Sequence, residues 1–162
     1  MSNNTPVQLD AIDRRILRAL QRDGRIQNNE LAAEVGLSPS PCLRRVRLLE
    51  ESGVIDRYVA VLDGTRIGVG LTVFARVWFK TQDAEQTQKF AEIVRQFPEV
   101  VECYLTTGDC DALLRIVTAD LNTYWRFQAD HLTRIPSVQS VKTDVPMETL
   151  KRSFELPIPQ NP

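Results

Sequence analysis

The sequence predicts an α+β fold in two parts, and three observations predict it. Up to about residue 60, apolar residues recur at helical spacing between turn signals. A glycine-containing linker, Asp63 to Gly70, follows. Beyond it, short alternating strands and amphipathic helices take over. The expected domains are residues 1–62 and 63–162.

The first helix spans about Asp10 to Arg22. Asp10 caps the free N–H groups of its first turn, and Asp13 adds charge suited to the positive end of the helix dipole. Ile12, Ile16, Leu17 and Leu20 share one face, and Asp23-Gly24 ends the run. A shorter helix from Asn28 to Val35 turns Leu31, Ala32 and Val35 inward and stops at Gly36. Ser38-Pro39-Ser40-Pro41 then looks hostile to a helix, but position decides. With Ser38 as N-cap, both prolines fall in the first turn, where N–H groups have no intrahelical partner. The third helix therefore runs from Pro39 to about Ser52, with Leu43, Val46 and Leu49 inward and Gly53 closing it. The three helices make a helix-turn-helix, winged-helix-like unit, and Val54 to Leu62 reads as a short strand or tether.

In the second part, Thr72 to Lys80 alternates as a strand. Asp83 caps a helix to about Gln96 whose inner face is Phe90, Ile93, Val94 and Phe97. Val100 to Thr106 is a strand, Thr107-Gly108-Asp109-Cys110 a hairpin turn, and Asp111 to Val117 the returning strand. Asp120 caps a helix through about Thr133, and Val138 to Val145 is the last strand. Glu148 to Pro162 trails behind. The order βαββαβ is that of a ferredoxin-like (ACT-like) sandwich, one antiparallel sheet backed by two helices.

Charge narrows the functions. The 20 Lys+Arg nearly balance 21 Asp+Glu, a net of −1, which excludes coating of a polyanion by bulk electrostatics. Even residues 1–62, with 9 Arg against 8 acidic residues, reach only +1, so nucleic acid has to be met by a local basic face. That face is the third helix, where Arg44, Arg45 and Arg47 fall within four residues. A helix-turn-helix lays this helix in the major groove, where an arginine can donate two hydrogen bonds to a guanine edge. Ser38, Ser40 and Pro41 stand at its N-terminus, the two hydroxyls ready for phosphates. The expected DNA-binding set is Ser38, Ser40, Pro41, Arg44, Arg45 and Arg47. The bland alternative is a solvated basic face on an ordinary helical bundle.

Leu9-Asp10-x-Ile12-Asp13, Asp23-Gly24-Arg25, Glu30-Leu31-Ala32 and, above all, Gly36-Leu37-Ser38-Pro39-Ser40-Pro41-Cys42-Leu43 resemble the Lrp/AsnC family of bacterial and archaeal transcription regulators. The resemblance continues through Gly53-Val54-Ile55 and, more loosely, from Cys103 to Leu114. It implies a DNA-binding regulator whose sandwich domain pairs through its sheets into homodimers, which often assemble to octamers. It also implies a small effector, usually an amino acid, near the Gly-Asp-x-Asp turn, hence at Thr107, Gly108, Asp109 and Asp111. Where the family often carries an aromatic residue, this chain has Ala112. The competing readings are a small-molecule-binding assembly module and an effector-free architectural DNA-binding protein.

The three cysteines form no paired disulfide framework and no zinc-type spacing. Cys42 and Cys103 read as small packing residues, and Cys110 as part of an exposed turn. The single histidine, His131, reads as a helix residue and no ligand, while Trp78 and Trp125 read as core or dimer-interface residues. No nucleophile elbow, P-loop or dinucleotide fingerprint occurs, so neither an enzyme nor a cofactor or metal is expected. Met1 to Val7 has no signal-peptide pattern and no stretch is long enough to span a membrane, which points to a cytoplasmic, nucleoid-associated protein.

Overall fold

The computed structural model describes residues 7–159, so most of Met1 to Val7 and the last residues of the trailing segment lie outside the description. The described chain divides into two compact units, 7–61 together with 151–159, and 62–150. Residues 151–159 of the trailing segment thus group with the first unit and 148–150 with the second, whereas the expected boundary places the whole segment in the second.

The first unit holds α1 (Ala11–Arg22), α2 (Asn28–Val35) and α3 (Pro39–Glu51). Asp10 and Asp13 form a reciprocal capping box at the start of α1. Gly36 ends α2 at φ +75°, a left-handed conformation that side chains rarely adopt. Ile16, Leu17, Ala19, Leu31, Ala32, Val35, Cys42 and Leu49 make the core. The inward face of α3 is corrected here: Cys42 is fully buried and Leu43 is exposed, because the helix turns its small thiol, not the leucine, toward its neighbours. Ile158 of the trailing segment packs on this core. The Gln21 side chain pairs there with the backbone of Leu156, donating to its carbonyl (3.2 Å) and accepting from its N–H (2.6 Å). No strand forms between residues 54 and 70, so Val54–Leu62 is a tether.

The second unit contains β1 (Leu71–Phe79), α4 (Ala84–Val94), β2 (Val100–Leu105), β3 (Ala112–Thr118), α5 (Leu121–Asp130) and β4 (Val138–Asp144). The helix expected to reach Thr133 stops at Asp130. His131 leaves helical geometry (φ −122°, ψ −66°), and a single 3-10 turn, Leu132–Arg134, follows. The sheet order is β2-β3-β1-β4 with every neighbour antiparallel. Val73, Ala75, Val77 and Phe79 of β1, with Ala112, Leu114 and Ile116 of β3, form a buried core with Phe90, Val94, Tyr124 and Phe127 of the helices. The alternate residues Phe74, Trp78, Leu113 and Val117 stay half-buried on the opposite face. Arg76 pairs with Asp144 (2.8 Å) and Arg115 with Glu102 (2.6 Å) among these outward residues.

Two cysteines exchange their expected environments. Cys103 is exposed, because β2 is an edge strand and its flank opens into a groove beside Phe90 and Val94 of α4. Cys110 is buried, because its loop folds back on β1 through a hydrogen bond from Asp111 N–H to the Val77 carbonyl (3.0 Å). Neither tryptophan joins the core: Trp125 is exposed, and half-buried Trp78 donates from Nε1 to the Asp109 carbonyl (2.7 Å).

Candidate nucleic-acid interface and ligand site

Local geometry presents the N-terminus of α3 to solvent. Ser38, Ser40 and Pro41 are exposed, and Ser38 occupies the N-cap position without using its hydroxyl as a cap. Two polar ties set the helix from below. Asn28, at the start of α2, donates from Nδ2 to the Pro39 carbonyl (2.9 Å). Arg45 donates from Nη1 to Asp10 Oδ2 (2.6 Å) and to Asp13 Oδ1 (2.7 Å) of the α1 capping box. Donation from the Asp13 N–H, with the charge and hydrogen bonds of Arg45, holds the Asp10 carboxyl below its usual range despite some desolvation.

The three arginines therefore do not form one face. Arg44 and Arg47 are exposed and make no hydrogen bond or ion pair among the described residues. At 100° per residue they lie within one stripe with Ser40 and Leu48. Arg45 points away from that stripe, and its side chain keeps only 26% of its exposure. Leu48, 51% exposed on the same stripe as Arg44, escaped the sequence reading. Its spacing of four residues from Arg44 was the available signal.

In the second unit a cavity of about 300 Å³ opens beside the β2–β3 loop. Thr107, Gly108 and Asp111 line it, joined by Phe79, Gln82 and Leu105, which sequence reasoning missed. Asp109 is not part of the lining: its carboxylate is 85% exposed and lies 3.7 Å from Arg76. Asp111 accepts from the Phe79 N–H (2.7 Å) and from Gln82 Nε2 (2.6 Å), so it both pins the loop to β1 and brings negative charge to the cavity. Gly108 is not in the left-handed region, and an added Cβ there would meet nothing within 4 Å. Backbone geometry therefore does not demand glycine at this position. Ala112 lies in the buried core instead of the cavity wall.

Comparison with known proteins places this arrangement. The Lrp/AsnC ligand binding domain matches residues 72–156, and a winged helix-turn-helix DNA-binding domain matches residues 9–56. The chain belongs to the Lrp/AsnC family. It is 41% identical over 150 residues to the leucine-responsive regulatory protein of Escherichia coli, covering 93% of this chain and 92% of that one. The transcriptional regulator AzlB of Bacillus subtilis is 38% identical over 152 residues, covering 94% and 97%. A Neisseria meningitidis transcriptional regulator solved as an L-Met complex superposes with a TM-score of 0.89 at 37% identity, covering 93% and 97%. As a member of the Lrp/AsnC family, the chain is a transcription regulator with a helix-turn-helix DNA-binding domain and a ligand-binding domain. Among the described residues no helix is long and apolar enough to cross a membrane.

Proposed function

We propose that the exposed stripe of α3 reads operator DNA and that the cavity at the β2–β3 loop receives an amino-acid effector. The observation that carries the DNA reading is the exposure of Arg44 and Arg47, two guanidinium groups without a partner among the described residues, on the helix that follows the Gly36 turn. Ser38 and Ser40 hydroxyls and the backbone beside Pro41 fix the helix on phosphates, while Arg44 or Arg47 reads a base edge. The half-buried apolar residues Phe74, Trp78, Leu113 and Val117 support pairing of two sheets into a homodimer that assembles further, to an octamer. A twofold dimer reads half-sites about one helical turn, 34–36 Å, apart or a multiple of that.

At the cavity, the Asp111 carboxylate suits an α-ammonium group, and Phe79 and Leu105 supply apolar wall for a side chain. Thr107 and Gly108 leave the loop backbone open to an α-carboxylate, and Asp109 screens the rim through Arg76. The L-Met complex of the Neisseria relative supports an amino acid as the ligand class. The protein works by binding and not by catalysis, in the cytoplasm on nucleoid DNA.

The test is selection of a duplex from a randomised pool by the full chain, then fluorescence anisotropy with and without L-methionine. The expected result is a preference over random duplex of about 10³-fold or more. A ligand-dependent shift in that affinity is also expected, together with the reciprocal shift in L-methionine affinity. Equal binding to selected and random duplexes refutes the DNA reading. Absence of any shift with all twenty amino acids refutes the effector.

A further inference from the structure

We propose that Arg45 is a positioning residue that sets the roll of the recognition helix, and that it does not contact DNA. The inference rests on the DNA reading above and departs from the expectation that all three arginines bind. Its first support is angular. Successive helix residues are 100° apart, so with Arg44 and Arg47 directed to solvent, Arg45 points toward the body of the unit.

The second support is the closed network in which Arg45 sits. Asp10 Oδ1 accepts from Ile12 N–H and Asp13 N–H, both at 2.8 Å, and Asp13 Oδ2 accepts from Asp10 N–H at 3.1 Å. The remaining oxygens, Asp10 Oδ2 and Asp13 Oδ1, both receive Arg45 Nη1. Every carboxylate oxygen of the capping box is therefore engaged, and the last two are engaged by the recognition helix. If Arg45 swung out to a phosphate, it would leave two carboxylates with no cation, in the same domain that approaches a polyanion. The same two carboxylates that cap α1 thus aim α3. Asn28 on the Pro39 carbonyl fixes the N-terminus of α3, and Arg45 fixes its rotation about 1.7 turns further on.

This arrangement inverts the usual effect of acidic residues near DNA, and the inversion is the test. Full-length R45M, R45K, D10N/D13N and the combined triple variant are compared with wild type. Anisotropy is read on the selected and random duplexes across a KCl series, well below each variant's melting transition. A positioning role predicts that R45M lowers discrimination about tenfold. It also predicts that R45M leaves the salt slope on random duplex unchanged, and that R45K restores part of the discrimination. D10N/D13N loses discrimination too, although it removes negative charge, and the triple variant is no worse than either parent. The proposal is overturned if D10N/D13N binds DNA more tightly while R45M lowers the salt slope, since both follow from a direct phosphate contact. Wild type without preference for its selected duplex overturns the DNA reading and this proposal with it. Reversed signs in the variants beside a discriminating wild type overturn only the role of Arg45.

Discussion

Truncation of Arg44 tests the interface at its simplest point. The side chain is exposed and has no hydrogen-bond or ion-pair partner among the described residues, so Arg44→Ala removes a charge without breaking a polar contact seen there. Alanine is also the better helix former, and the melting temperature should hold. The whole effect then falls on DNA. In a twofold dimer the substitution removes two cations, and each phosphate contact contributes about 0.9 to the slope of log K against log salt. The expected change in slope is about 1.8, twice that single-contact value. Over a fourfold rise from about 50 to 200 mM KCl, the affinity advantage of wild type over the variant should shrink about twelvefold. Fluorescence anisotropy on random duplex measures this directly. On random duplex, where no base edge is matched, Arg44 is expected to meet phosphate instead, and parallel salt lines for the two proteins would refute that contact. Parallel lines with a loss confined to one base position of the selected duplex, about 1–3 kcal/mol, would assign it to base reading instead.

Three further outcomes follow from other sites. Tyr58 donates to Glu50 Oε1 (3.0 Å), and burial first, then Glu50, pushes its phenol up to about 12 from 10. The neutral phenol is the folded form, so its contribution is complete below pH 10 and is lost as pH rises toward 12. Urea titrations across that window should therefore show an alkaline loss of stability that Tyr58→Phe reduces, buried Tyr124 and Cys42 supplying the rest, and identical pH profiles for the two proteins would contradict the assignment. Phe90 is fully buried and packs edge-on against Phe79 at 4.8 Å. Phe90→Ala should cost about 3–5 kcal/mol in denaturant unfolding, and a loss below about 1 kcal/mol would mean the core collapses around it. Gln82 Nε2 occupies Asp111 Oδ1 at 2.6 Å, where a ligand ammonium would bind. Calorimetry should show Gln82→Ala tightening L-methionine several-fold and Asp111→Asn removing binding, while weaker binding by Gln82→Ala would make Gln82 a ligand contact.

Much of the fold was legible because local chemistry and tertiary outcome agree. Asp10, Asp83 and Asp120 announce helix starts, and all three carboxylates accept from backbone N–H groups there. Pro39 and Pro41 could be read as a helix start because only the first turn tolerates them, and α3 begins at Pro39. The α4 face was readable from its period: Phe90 and Val94 are buried, and Ile93 and Phe97 pack on the core. The misses have a common origin. Element type alone places Cys103 inside and Cys110 outside, but burial depends on which strand stands at the sheet edge and where a loop folds back. Of the two places expected for Trp125, the core is excluded, because the inward positions of α5 belong to Tyr124 and Phe127.

The candidate sites divide along the same line. A basic run on the third helix, a glycine-bearing turn between two strands, and near-zero net charge are properties of residue order, and they point to a regulator that meets DNA through one helix. Residue order does not say which arginine has a partner. Asp10 and Asp13 lie more than thirty positions from Arg45 along the chain. Only the packing of α1 against α3 brings them within hydrogen-bond reach and separates Arg45 from Arg44 and Arg47. The same holds at the cavity, where Gln82 reaches Asp111 across 29 positions, and at the trailing segment, where Leu156 meets Gln21 across 135. Local propensity acts over a helical turn or a hairpin, whereas a side chain's free or engaged state depends on contacts that the folded chain alone creates.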